Sequence, residues 1–310
     1  MSLPAQLSLV LPSYATEEPG DWSAVTDLAI AADVAGVDRI AISEHVAFGE
    51  NLEAYADPSI GGQRNGKQPT GPDGPWLDPL ATLAYVAALT SRVRLSTAIL
   101  IAALRRPVVL AKTAATIDVL SGGRLELGVG VGWQREEYDA AGLSFADRGR
   151  LLNHTIEVCQ ELWRNYSASY SSAELSFERI HQAPKPVQEG GVPIWVSGTV
   201  NKRSMDRLAA YGAGWISWGD DAADIVSGVA RMRAAMTERG RDPLGVQVMS
   251  RIPTVLDGGG VDLAKTFAVV PALYEAGVTD FRIGMRLPGG REAATEFLTE
   301  VVGAFRAAAG

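Results

Sequence analysis

The chain is poor in the residues that mark several functional classes. It has one cysteine, Cys159, in 310 residues, so no intrachain disulfide can form. That usage fits a reducing compartment, and a chain of this length builds a core without staples. Cys159 lies in LLNHTIEVCQELW, where apolar residues recur at helical spacing, which puts the thiol on a buried helix face. Its three histidines, His45, His154 and His181, are too scattered for metal-ligand spacing, and no metal site is expected. Basic residues are outnumbered, 28 Lys and Arg against 36 Asp and Glu, for a formal net charge of −8. With no basic patch and no repeat, neither nucleic acid nor an anionic membrane is the expected partner. No apolar run is long enough to span a bilayer. The opening MSLPAQLSLVLPSY lacks a basic segment and is cut by prolines, so no secretory signal and a cytoplasmic location are expected.

What is present is a repeated βα pattern in a chain that is 47% hydrophobic. Short β-branched segments over 6–13, 37–45, 93–100, 124–132, 193–198, 214–219, 246–255 and 278–285 read as strands. Amphipathic segments over 21–36, 107–121, 147–166, 201–212, 221–239, 261–276 and 290–309, with a further one opening at Pro79, read as helices. Asp78-Pro79 supplies an N-cap and first-turn proline, and Ser121-Gly122-Gly123 a C-cap. Two long polar stretches interrupt the pattern, 46–77 after the second strand and 167–192 before the fifth. Strict alternation implies a parallel sheet, and eight units without a linker fit one (β/α)8 TIM-barrel domain over 1–310. Active sites of such barrels lie at the strand C-termini.

One stretch asks a question of its own: RLELGVGVGWQREEY, over 124–138. The dinucleotide fingerprint GxGxxG needs a third glycine where Trp133 stands, and this is the fourth strand, so a Rossmann site is excluded. Strand alternation turns Glu126, Gly128, Gly130 and Gly132 into the barrel. Glycines there either leave a flat recess for a planar ring or relieve crowding inside the barrel.

The block TIDVLSGGRLELGVGVGWQREEYDAAGLSFADRG, the segment HQAPKPVQEGGVPIWVSGT and the Ser43-Glu44-His45 strand end together resemble the bacterial-luciferase-like oxidoreductases, most nearly the branch dependent on the deazaflavin coenzyme F-420. The resemblance covers essentially the whole chain. It implies the same barrel, with coenzyme F-420 or alternatively FMN at the strand C-termini. It implies His45 as a catalytic histidine with Glu44 beside it, the alternative for Glu44 being a salt bridge within the barrel. It implies cofactor contacts from Thr97, Ala98 and Ile99, a bulge that in relatives sometimes contains a cis peptide, and from Gly130, Gly132, Glu136, Arg148, Ser197, Gly198 and Thr199. Trp133 and Trp218 would line the substrate pocket, and the 46–77 loop would form part of a lid. Asp220 and Asp221 depart from the pattern, because two acids repel a phosphate. The implied function is hydride transfer between coenzyme F-420 and a small organic substrate. The alternatives are an FMNH2-dependent monooxygenase fed by a separate reductase, and a non-catalytic flavin-binding barrel. Relatives are usually homodimers.

Overall fold

Alternation along each strand sends one set of side chains toward the helices and the other into a closed barrel. The computed structural model describes residues 3–310. Its eight barrel strands are β1 (Gln6–Val10), β2 (Arg39–Ile42), β3 (Arg94–Thr97), β4 (Leu125–Val129), β5 (Ile194–Gly198), β6 (Gly214–Ser217), β7 (Gln247–Ile252) and β8 (Asp280–Ile283). All are parallel, each pairs with its neighbours in sequence, and β8 closes onto β1. This is the expected (β/α)8 barrel.

The helices are α1 (Ser23–Ala35), α2 (Pro79–Leu89), α3 (Pro107–Ser121), α4 (Arg148–Arg164), α5 (Lys202–Tyr211), α6 (Ile225–Glu238), α7 in two pieces (Leu263–Phe267 and Val270–Ala276), and α8 (Arg291–Ala309). The second piece of α7 starts with Pro271 in its first turn, where a missing N–H costs nothing. The Asp78 carboxylate accepts from the Ala81 amide at 2.8 Å, and Gly122 ends α3 at φ +69°, as those residue types require. The outward strand face meets the helices in one continuous apolar core, in which Phe281 of β8 and Phe267 of α7 each lie 5.6 Å, centroid to centroid, from Phe305 of α8.

Several elements depart from the sequence reading. The stretch 167–192 contains an antiparallel hairpin, Ala168–Ser171 with Ser176–Ile180, tied to α4 by the Tyr170 hydroxyl donating to Glu157 at 2.7 Å. A short helix, Arg135–Ala140, follows β4 and carries Glu136 and Glu137. Among the described residues no helix is long and apolar enough to cross a membrane, and no His, Cys, Asp and Glu group is arranged to hold a metal.

The strand N-terminal end of the barrel is closed by buried charge. Arg39 donates to Glu126 at 2.7 Å and pairs with Asp280, which also accepts from the Ser8 hydroxyl at 2.8 Å. Arg94 adds a second contact to Glu126 at 3.3 Å. Above this plug, Trp195, Ile216 and Met249 form a small inner cluster joined by Ile99.

Candidate active site

The glycine run takes on its meaning at the β3–β4 wall. Gly128 and Gly130 face inward as expected, but the room they leave is occupied by β3 itself. A Cβ on Gly128 would run into the Thr97 carbonyl oxygen, and one on Gly130 would come within 2.8 Å of the Ile99 side chain. Gly132, at φ +68°, faces Ile101 in the same way. The glycines relieve crowding and do not leave an open recess. Any planar ring on this wall lies against Ile99 and not on bare glycine backbone.

The β3 end is a formed bulge. The Ala98–Ile99 peptide is cis, the Thr97 hydroxyl donates to the Gly128 carbonyl at 2.8 Å, and the Leu100 amide donates to that same carbonyl at 2.7 Å. Glu44 braces the bulge from behind. Its carboxylate accepts from the Ile101 amide at 2.6 Å and pairs with Arg105 at 2.5 Å. Burial pushes the Glu44 carboxyl up from its ordinary range, and Arg105 opposes that push. Of the two readings of Glu44, the structure shows the salt bridge, so Glu44 holds the loop after β3.

His45 follows Glu44 and turns the other way, with its side chain 8% exposed. Phe48, Trp76 and Trp133 surround it at ring-centroid distances of 4.2, 4.9 and 5.8 Å. Its Nδ1 lies 3.3 Å from Oε2 of Glu137, a residue the sequence reading passed over in favour of Glu136. Glu137 is buried, and its Oε1 accepts from the Val46 amide at 2.8 Å. Both His45 Nδ1 and Glu137 Oε2 are buried and, among the described residues, neither completes a hydrogen bond elsewhere, so the two face each other as a close polar pair. The Gln68 amide lies 3.5 Å from His45 Nε2. Glu136 packs its methylenes against Gly49 instead.

The 46–77 loop lies across this end of the barrel and is fastened at several points. The Trp218 indole donates to the Gly61 and Gly62 carbonyls, both at 3.2 Å. Gln134 donates to the Gly49 carbonyl at 3.1 Å. Tyr55 brings its ring within 5.3 Å of Trp133 and 6.5 Å of Trp218, centroid to centroid. Both pocket tryptophans of the sequence reading therefore meet the loop, with Trp133 buried and Trp218 half-buried.

The phosphate candidates are only partly free. Arg148 is half-buried and stacks over Phe145 at 3.9 Å, donating to the Phe145 carbonyl at 2.9 Å and the Ile60 carbonyl at 3.3 Å. Its Nε is buried without an acceptor. Burial lowers the affinity of Arg148 for its proton, and Arg135 and Arg203 add to that, so three cations share one region. Ser197 and Gly198 end β5 and Thr199 follows it, all three half-buried, and the N-terminus of α5 is capped by Asn201 and Ser204. Asp221, expected to repel a phosphate, is spent on the fold: it accepts from the Val200 amide and from Arg231, at 2.7 and 2.5 Å. Asp220 is exposed and lies 3.4 Å from Arg64 of the 46–77 loop.

Comparison with known proteins gives the family. Residues 7–259 match the family model described as luciferase-like monooxygenase. An uncharacterised protein of Mycobacterium tuberculosis is 29% identical over 285 residues, 89% of each chain. The oxygenase component of a flavin-dependent trigonelline monooxygenase from Acinetobacter baylyi is 31% identical over 122 residues, 39% of this chain and 34% of that one. Among solved structures, an F-420-dependent secondary alcohol dehydrogenase bound to an F-420–acetone adduct superposes with a TM-score of 0.74 at 18% identity, covering 98% of this chain and 100% of that one. The family match over residues 7–259, on a chain folded as a (β/α)8 barrel, makes this chain a member of the luciferase-like monooxygenase family.

Proposed function

We propose that this protein is an oxidoreductase that moves a hydride between coenzyme F-420 and a small organic substrate, with His45 handling the accompanying proton. The observation that carries the reading is the His45–Glu137 pair at the strand C-terminal end of the barrel. When bound, the deazaflavin supplies hydride transfer at ring C5. The chain supplies position, protons and a dry pocket. Glu137 orients the imidazole, and Nε2 takes or gives the proton. Trp76, Phe48 and Trp133 keep water from that nitrogen. The Ile99 bulge presents an apolar wall, and the unpaired Arg148 Nε, with Arg135 and Arg203 nearby, is a donor set suited to a phosphate. The similarity to the F-420-dependent alcohol dehydrogenase supports this choice of cofactor.

A second reading, an FMNH2-dependent monooxygenase fed by a separate reductase, draws support from the fastened aromatic lid, since oxygen chemistry needs water excluded. The similarity to a flavin-dependent oxygenase component points the same way. A homodimer and a cytoplasmic location remain part of this proposal.

The test is His45→Ala. The variant is expected to bind cofactor as the parent does and to lose turnover by about 100-fold or more. Unchanged turnover would remove His45 from the chemistry.

A further inference from the structure

The interior of this barrel carries more positive charge than it neutralises. Along the eight strands, the inward-facing charged residues are Arg39, Arg94, Arg251 and Arg282 against Glu126 and Asp280. Both acids are taken up by Arg39 and Arg94 in the plug at the strand N-termini. Arg251 and Arg282 are left over. Among the described residues, neither guanidinium has a hydrogen-bond or ion-pair partner.

Their placement is unusual for this fold. Barrel interiors are normally filled by layers of branched apolar side chains. Arg282 stands on β8 and pairs in register with Arg251 on β7. Inward neighbours on adjacent strands lie about 5 Å apart, and like charges there destabilise the sheet. Arg282 is 2% exposed, and its Nε is fully enclosed without an acceptor. Arg251, one layer nearer the strand C-termini, is exposed although the residues on either side of it in β7 are buried. Burial pushes the Tyr55 phenol of the 46–77 loop up, and Arg251 opposes that push. Burial, then the repulsion of Arg39 and Arg251, pushes the Arg282 guanidinium down to about 9, and only Glu126 pulls it back. Filling space does not require this charge, because an apolar side chain of similar volume would fill the layer without the desolvation cost.

We propose that Arg251 and Arg282 receive the oxyanion of the substrate, so that the molecule turned over is an organic acid, a carboxylate in the first instance, with an apolar or aromatic body. The barrel order puts β7 and β8 across from β3 and β4. The arginines therefore face the Ile99 wall on which a cofactor ring would rest, and a substrate anchored on them lies between the two. Tyr55, Trp133 and Trp218 cover its body. Two guanidinium groups present forked donors that match a carboxylate, and the anion cancels the repulsion between them. This substrate class rests on the oxidoreductase reading, but the anion site itself does not.

The experiment is therefore run on the protein without cofactor. Benzoate, and benzyl alcohol as an uncharged match in size, are titrated while tryptophan fluorescence is followed. Benzoate is expected to bind saturably and the alcohol at least about tenfold more weakly. Arg251→Met is expected to weaken benzoate by about tenfold or more and to leave the alcohol unchanged. Arg282→Met is expected to weaken benzoate likewise while keeping or raising Tm, because it removes a buried unpaired charge. Equal affinities for the acid and the alcohol would overturn the proposal. So would a Tm that falls in Arg282→Met together with unchanged benzoate affinity in Arg251→Met. A further arm titrates oxidised and reduced FMN. If Arg251→Met weakens only the reduced, anionic form and spares benzoate, the arginines serve the cofactor's ring and the substrate proposal fails. Benzoate binding that depends on Arg251, in a protein that binds neither F-420 nor FMN, would keep the anion site and discard the oxidoreductase reading.

Discussion

Glu137→Gln separates the orientation of His45 from its presence. The parent carboxylate accepts from the Val46 amide at 2.8 Å and the Ala47 amide at 3.4 Å, and faces His45 Nδ1 at 3.3 Å. Glutamine keeps the shape and one acceptor but loses the charge. A hydrogen bond to a charged group contributes about 1.5–3 kcal/mol and a neutral one about 1, so the fold should lose about 1–2 kcal/mol and remain folded. Two unit charges at 3.3 Å attract by about 5 kcal/mol at the effective dielectric of a partly buried site, and the amide dipole of glutamine recovers part of that for an imidazolium formed during turnover. The expected loss in kcat is about 10–100-fold, with cofactor affinity unchanged. Steady-state kinetics with each single variant and with the Glu137→Gln, His45→Ala double variant measure it. Because Glu137 acts through His45, the glutamine should cost nothing further once the histidine is gone. An equal loss in both backgrounds, or full activity in Glu137→Gln, would refute the pairing.

Two further substitutions test how the site is held. Gly128→Ala places a methyl group against the Thr97 carbonyl and the Ile216 side chain, and is expected to lower stability by about 1–3 kcal/mol in urea unfolding; an unchanged midpoint would mean that β3 moves freely there. Asp33, buried at the end of α1, accepts from the Ser91, Arg92 and Val93 amides at 3.0, 2.7 and 2.7 Å. Burial pushes its carboxyl up, but these bonds together pull it below its ordinary value. A lowered folded value stabilises above the unfolded carboxylate range, near about 4, and that contribution fades as pH falls through the folded value. Asp33→Asn should therefore cost about 1–3 kcal/mol at pH 7 and progressively less below about pH 4, when the parent also protonates. A cost that grows on acidification would contradict this sign.

The barrel was legible in the sequence because its signals are local and repeated. Alternation marked the strands, the capping residues at Asp78 and Gly122 marked the helix ends, and the inward set Glu126, Gly128 and Gly130 followed from a period of two. What occupies the space beside those glycines was not legible, since that depends on how the β3 bulge is placed against β4. Glu136 and Glu137 are adjacent acids in one short helix, and only the direction of that helix decides which one meets His45. Asp221 looked like a repulsive charge at a phosphate site because its partner, Arg231, lies ten residues away on the next helix. Arg251 and Arg282 carried a signal that could have been used: period-two alternation in VQVMSRI and TDFRIGM turns both arginines into the barrel. The aromatics Phe48, Tyr55 and Trp76 sit in the 46–77 loop, which has no periodicity, and nothing local says which of them turn inward.

The most direct test of the central claim is a titration of the purified protein with coenzyme F-420 and, separately, with oxidised and reduced FMN, followed by tryptophan quenching against a heat-denatured control. Saturable binding of F-420 is expected at micromolar concentration or tighter, with FMN much weaker, and the same affinity in His45→Ala. A clear preference for reduced FMN would move the protein to the two-component oxygenase reading, and failure to bind either cofactor would contradict the redox function proposed for this site.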